Sequence, residues 1–95
     1  MKLGFEKQVD GEEKGEVVLF ALSTCGWCAK TKNYLGKLGV KYSYVDIDLL
    51  DWNEADLATK IMEEHTDHIA YPTIIINDSE CIVGYDPDKI KELLE

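Results

Sequence analysis

Cys25 and Cys28 stand two residues apart with Gly26 and Trp27 between them. A thiol pair at this spacing can close and reopen a disulfide, or hold a metal. The pair follows the apolar run at residues 17–22 after only Ser23 and Thr24, and it precedes a helix-forming stretch at residues 29–35. It therefore occupies a strand-to-helix joint, the layout of a dithiol redox site. A helix start offers unpaired backbone N–H groups and the positive end of the helix dipole. Both favour thiolate over thiol, and the thiolate is the reactive species. The metal alternative would add His65 and His68, spaced i, i+3, to the two cysteines as zinc ligands. Nothing in the strand–helix order brings that helix end to the joint, so a solvent-exposed helix end is the simpler account and no metal is expected. Cys81 reads as a small buried residue of a later strand.

The elements that must hold this pair fit in one domain. Ninety-five residues suffice for one compact unit and are too few for two. The hydrophobic share of 45% can fill a small core, and no apolar stretch reaches membrane-spanning length. The N-terminus has no apolar block of signal-peptide length. An odd cysteine count of three argues against a secreted disulfide framework. A cytoplasmic location is thus the default expectation, with no membrane partner. The formal charge of −9 excludes a general nucleic-acid binder, which needs a basic face. The charge is also unevenly spread. Residues 17–45 carry four lysines and no acid, while residues 46–95 carry three lysines and fourteen acids. The cysteines lie in the one basic segment, where lysines either form a solvated helix face or help hold a thiolate and attract an acidic partner.

Residues 1–16 are polar, with three glycines and no sustained period. They read as a flexible N-terminal extension with room for a short strand near its start. Residues 17–22 suit a strand covered on both faces. A helix follows over about residues 26–38, with Ala29, Leu35 and Leu38 near one face and Gly39 as its stop. Residues 41–47 are aromatic and β-branched and give a second strand. Asp51 and Glu54 have the spacing of a capping box, opening a helix through Leu57, Ile61, Met62 and His65 to about residue 67. Trp52, beside that cap, reads as core or cap packing. Residues 72–76 form a third strand, Asn77-Asp78 a turn, and residues 80–83 a fourth strand ended by Gly84. Asp86 and Pro87 start the last helix as cap and first residue. The first two strands should be parallel across the first helix, and the last two should form a hairpin.

With this β-α-β-α-β-β-α order the chain resembles the thioredoxin-fold superfamily and, within it, the glutaredoxin branch. The resemblance covers residues 17–95, taken as a single domain, and implies an α/β thioredoxin fold with a four-stranded mixed sheet. Three motifs carry it: Cys25-Gly26-Trp27-Cys28, Tyr71-Pro72-Thr73 at the third strand, and Val83-Gly84-Tyr85-Asp86-Pro87-Asp88-Lys89-Ile90. The last is similar to the tail of glutaredoxin-like redoxins that donate electrons to ribonucleotide reductase. Glutathione-dependent glutaredoxins usually carry two glycines and two acids there, and here Val83 replaces the first glycine. Pro87 falls where the second acid would offer an N–H to the γ-glutamyl carboxylate, and proline has none. Leu22 stands where glutaredoxins, and the ribonucleotide-reductase donors too, usually have Lys or Arg. Two glutathione anchors are therefore missing, which makes glutathione a doubtful cofactor; the redox-active disulfide of Cys25 with Cys28 needs no other.

The resemblance implies that Cys25 is the nucleophile and Cys28 the resolving thiol. Position agrees, since Cys25 meets solvent at the helix start and Cys28 lies one turn in. Gly26 leaves the turn free of a side chain. Trp27, unless it is a plain surface aromatic, would be a hydrophobic rim for a docking partner. Tyr71-Pro72 is expected to be the cis peptide that the fold places facing the dithiol, where it can receive an extended substrate segment. Gly84, Tyr85 and Asp86 complete the implied substrate-binding residues. The implied activity is that of a monomeric thiol–disulfide oxidoreductase acting on protein disulfides, with an upstream disulfide reductase as second partner. The alternative is a glutathione-dependent glutaredoxin or an iron–sulfur cluster carrier, which Gly26 would suit because some cluster-binding glutaredoxins have glycine after the nucleophile.

Overall fold

The computed structural model describes residues 3–95. In chain order the elements are β1 (Lys7–Val9), β2 (Val17–Ala21), α1 (Gly26–Leu38), β3 (Tyr42–Asp46), a 3-10 turn (Ile47–Leu49), α2 (Trp52–His65), β4 (Thr73–Ile76), β5 (Glu80–Val83) and α3 (Pro87–Leu94). Among the described residues the strands form one five-stranded sheet in the order β1-β3-β2-β4-β5. β2 pairs in parallel with β3 and antiparallel with β4. The β4–β5 hairpin turns through Asn77 and Asp78, both at φ +54°, a backbone that Asn and Asp tolerate better than other side-chain-bearing residues.

All five residues of β2 are buried, because helices cover the sheet on both sides. Val17, Leu19 and Ala21 join the cluster that contains Cys28 and Leu35 of α1 and Ile90 and Leu94 of α3. Val18 and Phe20 point the other way, into the cluster with Ala58 and Met62 of α2. β4 repeats the pattern, with Ile74 and Ile76 on the first side and Ile75 on the second. The two-residue period of the strand thus divides one apolar run between two cores.

The sheet has one strand more than the four expected from the sequence. β1 lies antiparallel on β3, pairing Lys7 with Tyr44 and Val9 with Tyr42. Lys7 and Gln8 are polar and exposed and only Val9 is half-buried against the core, so no apolar alternation marks the strand; it covers the otherwise open edge of β3. Residues 11–16 are also tied down, and residues 1 and 2 of the expected extension lie outside the described residues. Glu12 N–H donates to Gly39 O at 2.7 Å, Lys41 N–H to Glu12 O at 2.9 Å, and Asn77 N–H to Glu16 O at 2.7 Å. Gly11 passes so close to the chain that a Cβ there would meet the Val40 carbonyl carbon at 2.5 Å.

The helices start and stop where their caps dictate. Gly39 takes φ +70° and donates its N–H back to Leu35 and Gly36, ending α1. Asp51 and Glu54 form a full capping box at α2. Which faces are buried differs from the sequence expectation. α1 turns Cys28, Thr31 and Leu35 inward and leaves Ala29 outside, because positions 29 and 35 lie about 120° apart around the helix axis. α2 buries Ala58 and Met62, while Leu57 is exposed and Trp52 is 86% exposed rather than packed. Cys81 is half-buried rather than buried.

His65 is not at an exposed helix end either. Its Nδ1 contacts Ile61 O at 2.9 Å, and its Nε2 lies 3.2 Å from Asp78 O and 2.9 Å from Asp78 Oδ1. Both ring nitrogens face acceptors, which favours imidazolium; the Ile61 carbonyl first and Asp78 second raise its pKa against an opposing desolvation. His68 is exposed, and among the described residues no cluster of three or more His, Cys, Asp or Glu side chains is placed to hold a metal.

Two stability measurements check these contacts. Gly11→Ala, forced against backbone that cannot move aside, should lower unfolding free energy by about 1–3 kcal/mol in urea titration. His65→Gln should cost most between about pH 4.5 and 6.5, where Asp78 is ionised and the imidazole charged. Since the folded pKa is raised, that contribution is complete below the unfolded value of about 6.5 and fades as pH climbs through the folded value. A pH-independent difference between the two proteins would contradict this.

Candidate functional site

The end of β2 delivers the chain to the site. After Ala21 the backbone turns through Leu22, Ser23 and Thr24, and Cys25 N–H donates to Leu22 O at 3.2 Å. Cys25 is the N-cap of α1, with extended backbone angles, and its Sγ accepts the N–H of Cys28 at 3.2 Å. A sulfur here takes the role that a hydroxyl or carboxylate oxygen plays in most caps. Cys25 is partly exposed, whereas Cys28, one turn in, is buried against the α1–α3 core. Burial, and then the hydrogen bond with Cys25, push the Cys28 thiol up to about 11. All three thiols are free.

Two contacts fix the loop around the pair. The Ser23 N–H donates to Asp48 Oδ1 at 2.8 Å, and the Ser23 hydroxyl donates to Oδ2 of the same carboxylate. These bonds hold the Asp48 carboxyl below its ordinary range. Inside α1, the Thr31 hydroxyl donates to Trp27 O at 2.9 Å. Gly26 needs neither a tight approach nor an unusual backbone: a Cβ there would meet nothing within 4 Å. Two lysines of the basic segment are engaged with other side chains, and Lys32 also acts electrostatically on Cys28. Lys32 pairs with Asp46 at 3.0 Å and lies 4.3 Å over the Tyr44 ring, and Lys30 sits 4.7 Å over Trp27.

The facing wall comes from the second half of the chain. The Tyr71-Pro72 peptide is cis, and Pro72 O accepts the N–H of Gly84 at 2.7 Å. Tyr71 is half-buried, with its phenol pKa raised by burial and by Cys28. Gly84 has φ +83°, which favours glycine where β5 leaves the sheet. Trp27 stacks on Tyr85 with ring centroids 5.8 Å apart, and Tyr34 meets Tyr85 edge-on at 6.5 Å. Trp27, Tyr71, Pro72, Gly84 and Tyr85 line one open groove. Asp86 does not line it; its carboxylate caps α3, accepting the Lys89 N–H at 3.2 Å. Pro87 at the first position of α3 offers no N–H. Sequence reasoning missed Tyr34 and the Asp48 clamp. Tyr34 follows Trp27 at the i+7 spacing that marks one helix face, but no pattern pairs residue 48 with residue 23 before β2 and β3 are side by side.

Comparison with known proteins agrees with this fold. The glutaredoxin family model matches residues 17–81. Methanoredoxin of Methanosarcina acetivorans is 42% identical, with 88% of each chain covered and a TM-score of 0.86. The glutaredoxin of Methanosarcina mazei Go1 is 39% identical over 94% of this chain and 86% of that one, with a TM-score of 0.89. The glutaredoxin-like NrdH-redoxin of Escherichia coli shares the fold at 22% identity, covering 82% of this chain and 93% of that one, with a TM-score of 0.63. The chain is thus similar to glutaredoxin-like redox proteins that also have the thioredoxin fold.

Thiol alkylation reads the asymmetry of the pair. With burial pushing its pKa up to about 11, Cys28 is overwhelmingly a protonated thiol at pH 8. Iodoacetamide should therefore label Cys25 first, with Cys28 slower by at least an order of magnitude. Mass spectrometry of partly labelled protein would show the order, and equal labelling would refute it.

Proposed function

The chain belongs to the glutaredoxin family, and we propose that within it this protein is a dithiol thiol–disulfide oxidoreductase that reduces protein disulfides through Cys25 and Cys28 without glutathione. The observation that carries the reading is the asymmetry of the two thiols: an accessible sulfur capped by a backbone N–H, above a buried thiol held protonated. Cys25 as thiolate attacks one sulfur of the target disulfide; the other leaves as thiolate, giving a mixed disulfide. Cys28 then gives up its proton, for which the departed target thiolate is a ready acceptor, and attacks the Cys25 sulfur. The second target sulfur leaves, the target has gained two electrons, and Cys25 and Cys28 end as a disulfide. Because the Cys28 thiol is so weakly acidic, it stays out of the first step and serves the second.

The groove supplies the docking site in this reading. An extended target segment laid along Tyr71-Pro72 would pair through backbone groups beside the dithiol, with Trp27 and Tyr85 as its apolar wall. Several features support independence from glutathione. Leu22 is apolar, Pro87 has no N–H, and the Gly84 and Lys89 N–H groups are already taken by Pro72 and Asp86. A carboxylate arriving there would find few free donors. The same shortage weighs against a cluster held with glutathione ligands. The Gly84-to-Ile90 tail, with its likeness to redoxins that serve ribonucleotide reductase, supports that enzyme as one target, alongside an upstream disulfide reductase that returns the electrons.

Insulin reduction driven by dithiothreitol tests the proposal. Cys25→Ser should bring turnover to background, and pre-reduced Cys28→Ser mixed with insulin after dithiothreitol is removed should accumulate a mixed disulfide visible on a non-reducing gel. Cys81→Ser should keep full activity, since that thiol lies on β5 outside the groove. Retained turnover in Cys25→Ser would sink the assignment.

A further inference from the structure

The dithiol end of the sheet has a second lip. β2 and β3 are parallel, so the loop toward Cys25 and the turn toward α2 leave the sheet at the same end. The Ser23–Asp48 hydrogen bonds fasten the two together. Immediately after Asp48 the chain exposes Leu49 (67%) and Trp52 (86%). Neither is needed to build α2, because Asp51 and Glu54 cap that helix and Ala58 and Met62 supply its buried face. A leucine and a tryptophan three residues apart and both exposed on a small protein are a mark of an interaction site, and tryptophan is a frequent energetic anchor in interfaces.

Charge narrows the partner. Residues 46–57 contain five acids and no lysine or arginine, whereas α1 carries Lys30, Lys32 and Lys37 and no acid. Asp46 is neutralised by Lys32 and Asp56 by Lys60, so the acids left to face a partner on the α2 side are Asp48, Asp51 and Glu54, close in sequence to Leu49 and Trp52. A second copy of this chain would bring the same acidic lip and a net charge of −9, so like charges oppose that occupant. We infer that Leu49 and Trp52 form a docking shelf for the disulfide-bearing protein substrate, one whose flank over α2 carries apolar and arginine or lysine side chains. The inference rests on the dithiol function proposed above, and it adds which substrates are preferred and how they are oriented.

The test uses pre-reduced protein in single turnover against three disulfides. Two are cyclic disulfide peptides that differ only in an Arg-Leu or a Glu-Ser flank; the third is the small neutral 4,4′-dithiodipyridine. At low salt the wild type should reduce the Arg-Leu peptide roughly fivefold faster than its counterpart, with the gap shrinking as salt rises. Trp52→Ala and Leu49→Ser should lose that preference while reacting with 4,4′-dithiodipyridine at the wild-type rate. Both side chains are exposed, and an unchanged unfolding midpoint confirms that each variant is folded. A wild type that treats the peptides alike, or variants that keep the preference, would overturn the shelf. So would equal slowing on all three disulfides, which would place Trp52 in the service of the dithiol itself. A dimer in sedimentation that Trp52→Ala dissolves without touching the peptide preference would assign the patch to self-association instead. Failure of the wild type to react even with 4,4′-dithiodipyridine would count against the dithiol function, a distinguishable result.

Discussion

β2 is buried on both faces, and the rest of the molecule is arranged around that constraint. A strand with no exposed side chain must have helices above and below it, and its two sets of alternating residues must find two separate cores. α1 and α3 take one side and α2 the other. The parallel partner β3 has to be reached through a crossover, which puts α1 directly after β2. The N-cap of α1 then falls a few residues past the end of the strand, at Cys25. The Cys25 sulfur sits where the helix start has a backbone N–H to give it.

From that position the two thiols differ first of all in depth. Three residues along a helix is nearly one turn, so Cys28 falls under Cys25 and into the α1–α3 core, where desolvation keeps its proton on. The surrounding wall depends on pairing rather than on local sequence. The cis Tyr71-Pro72 peptide leads into β4 beside β2, and the Gly84 N–H closes onto Pro72 O, bringing Tyr85 up to stack on Trp27. Residues separated by nearly sixty positions thus share one groove because both lie at the same end of one sheet.

Much of this was legible beforehand. The apolar run at β2, the Gly39 stop, the Asp51–Glu54 box and the Asp86-Pro87 start each have a local physical signature, and each element lies where that signature puts it. The residues that misled are those whose environment is set by distant neighbours. Trp52 has the composition of a core residue but stands on the outer side of α2, and Ala29 is apolar yet on the wrong face of α1. β1 lacks an apolar period because an edge strand with both faces largely in solvent needs none. His65 looks like a free helix end until the β4–β5 turn places Asp78 against it.

Residue order and type by themselves determined the β-α-β-α-β-β-α core, the strand-to-helix placement of the dithiol, and the loss of donors at Leu22 and Pro87. All of these depend on contacts within a few residues, or on chemistry that a side chain carries anywhere. Only the tertiary structure decided that Trp27 stacks on Tyr85 beside Tyr71, that Trp52 stands in solvent, and that Asp48 grips the loop ahead of Cys25. Those facts arise from register between strands, and register is set by the summed packing of the whole sheet rather than by any segment alone.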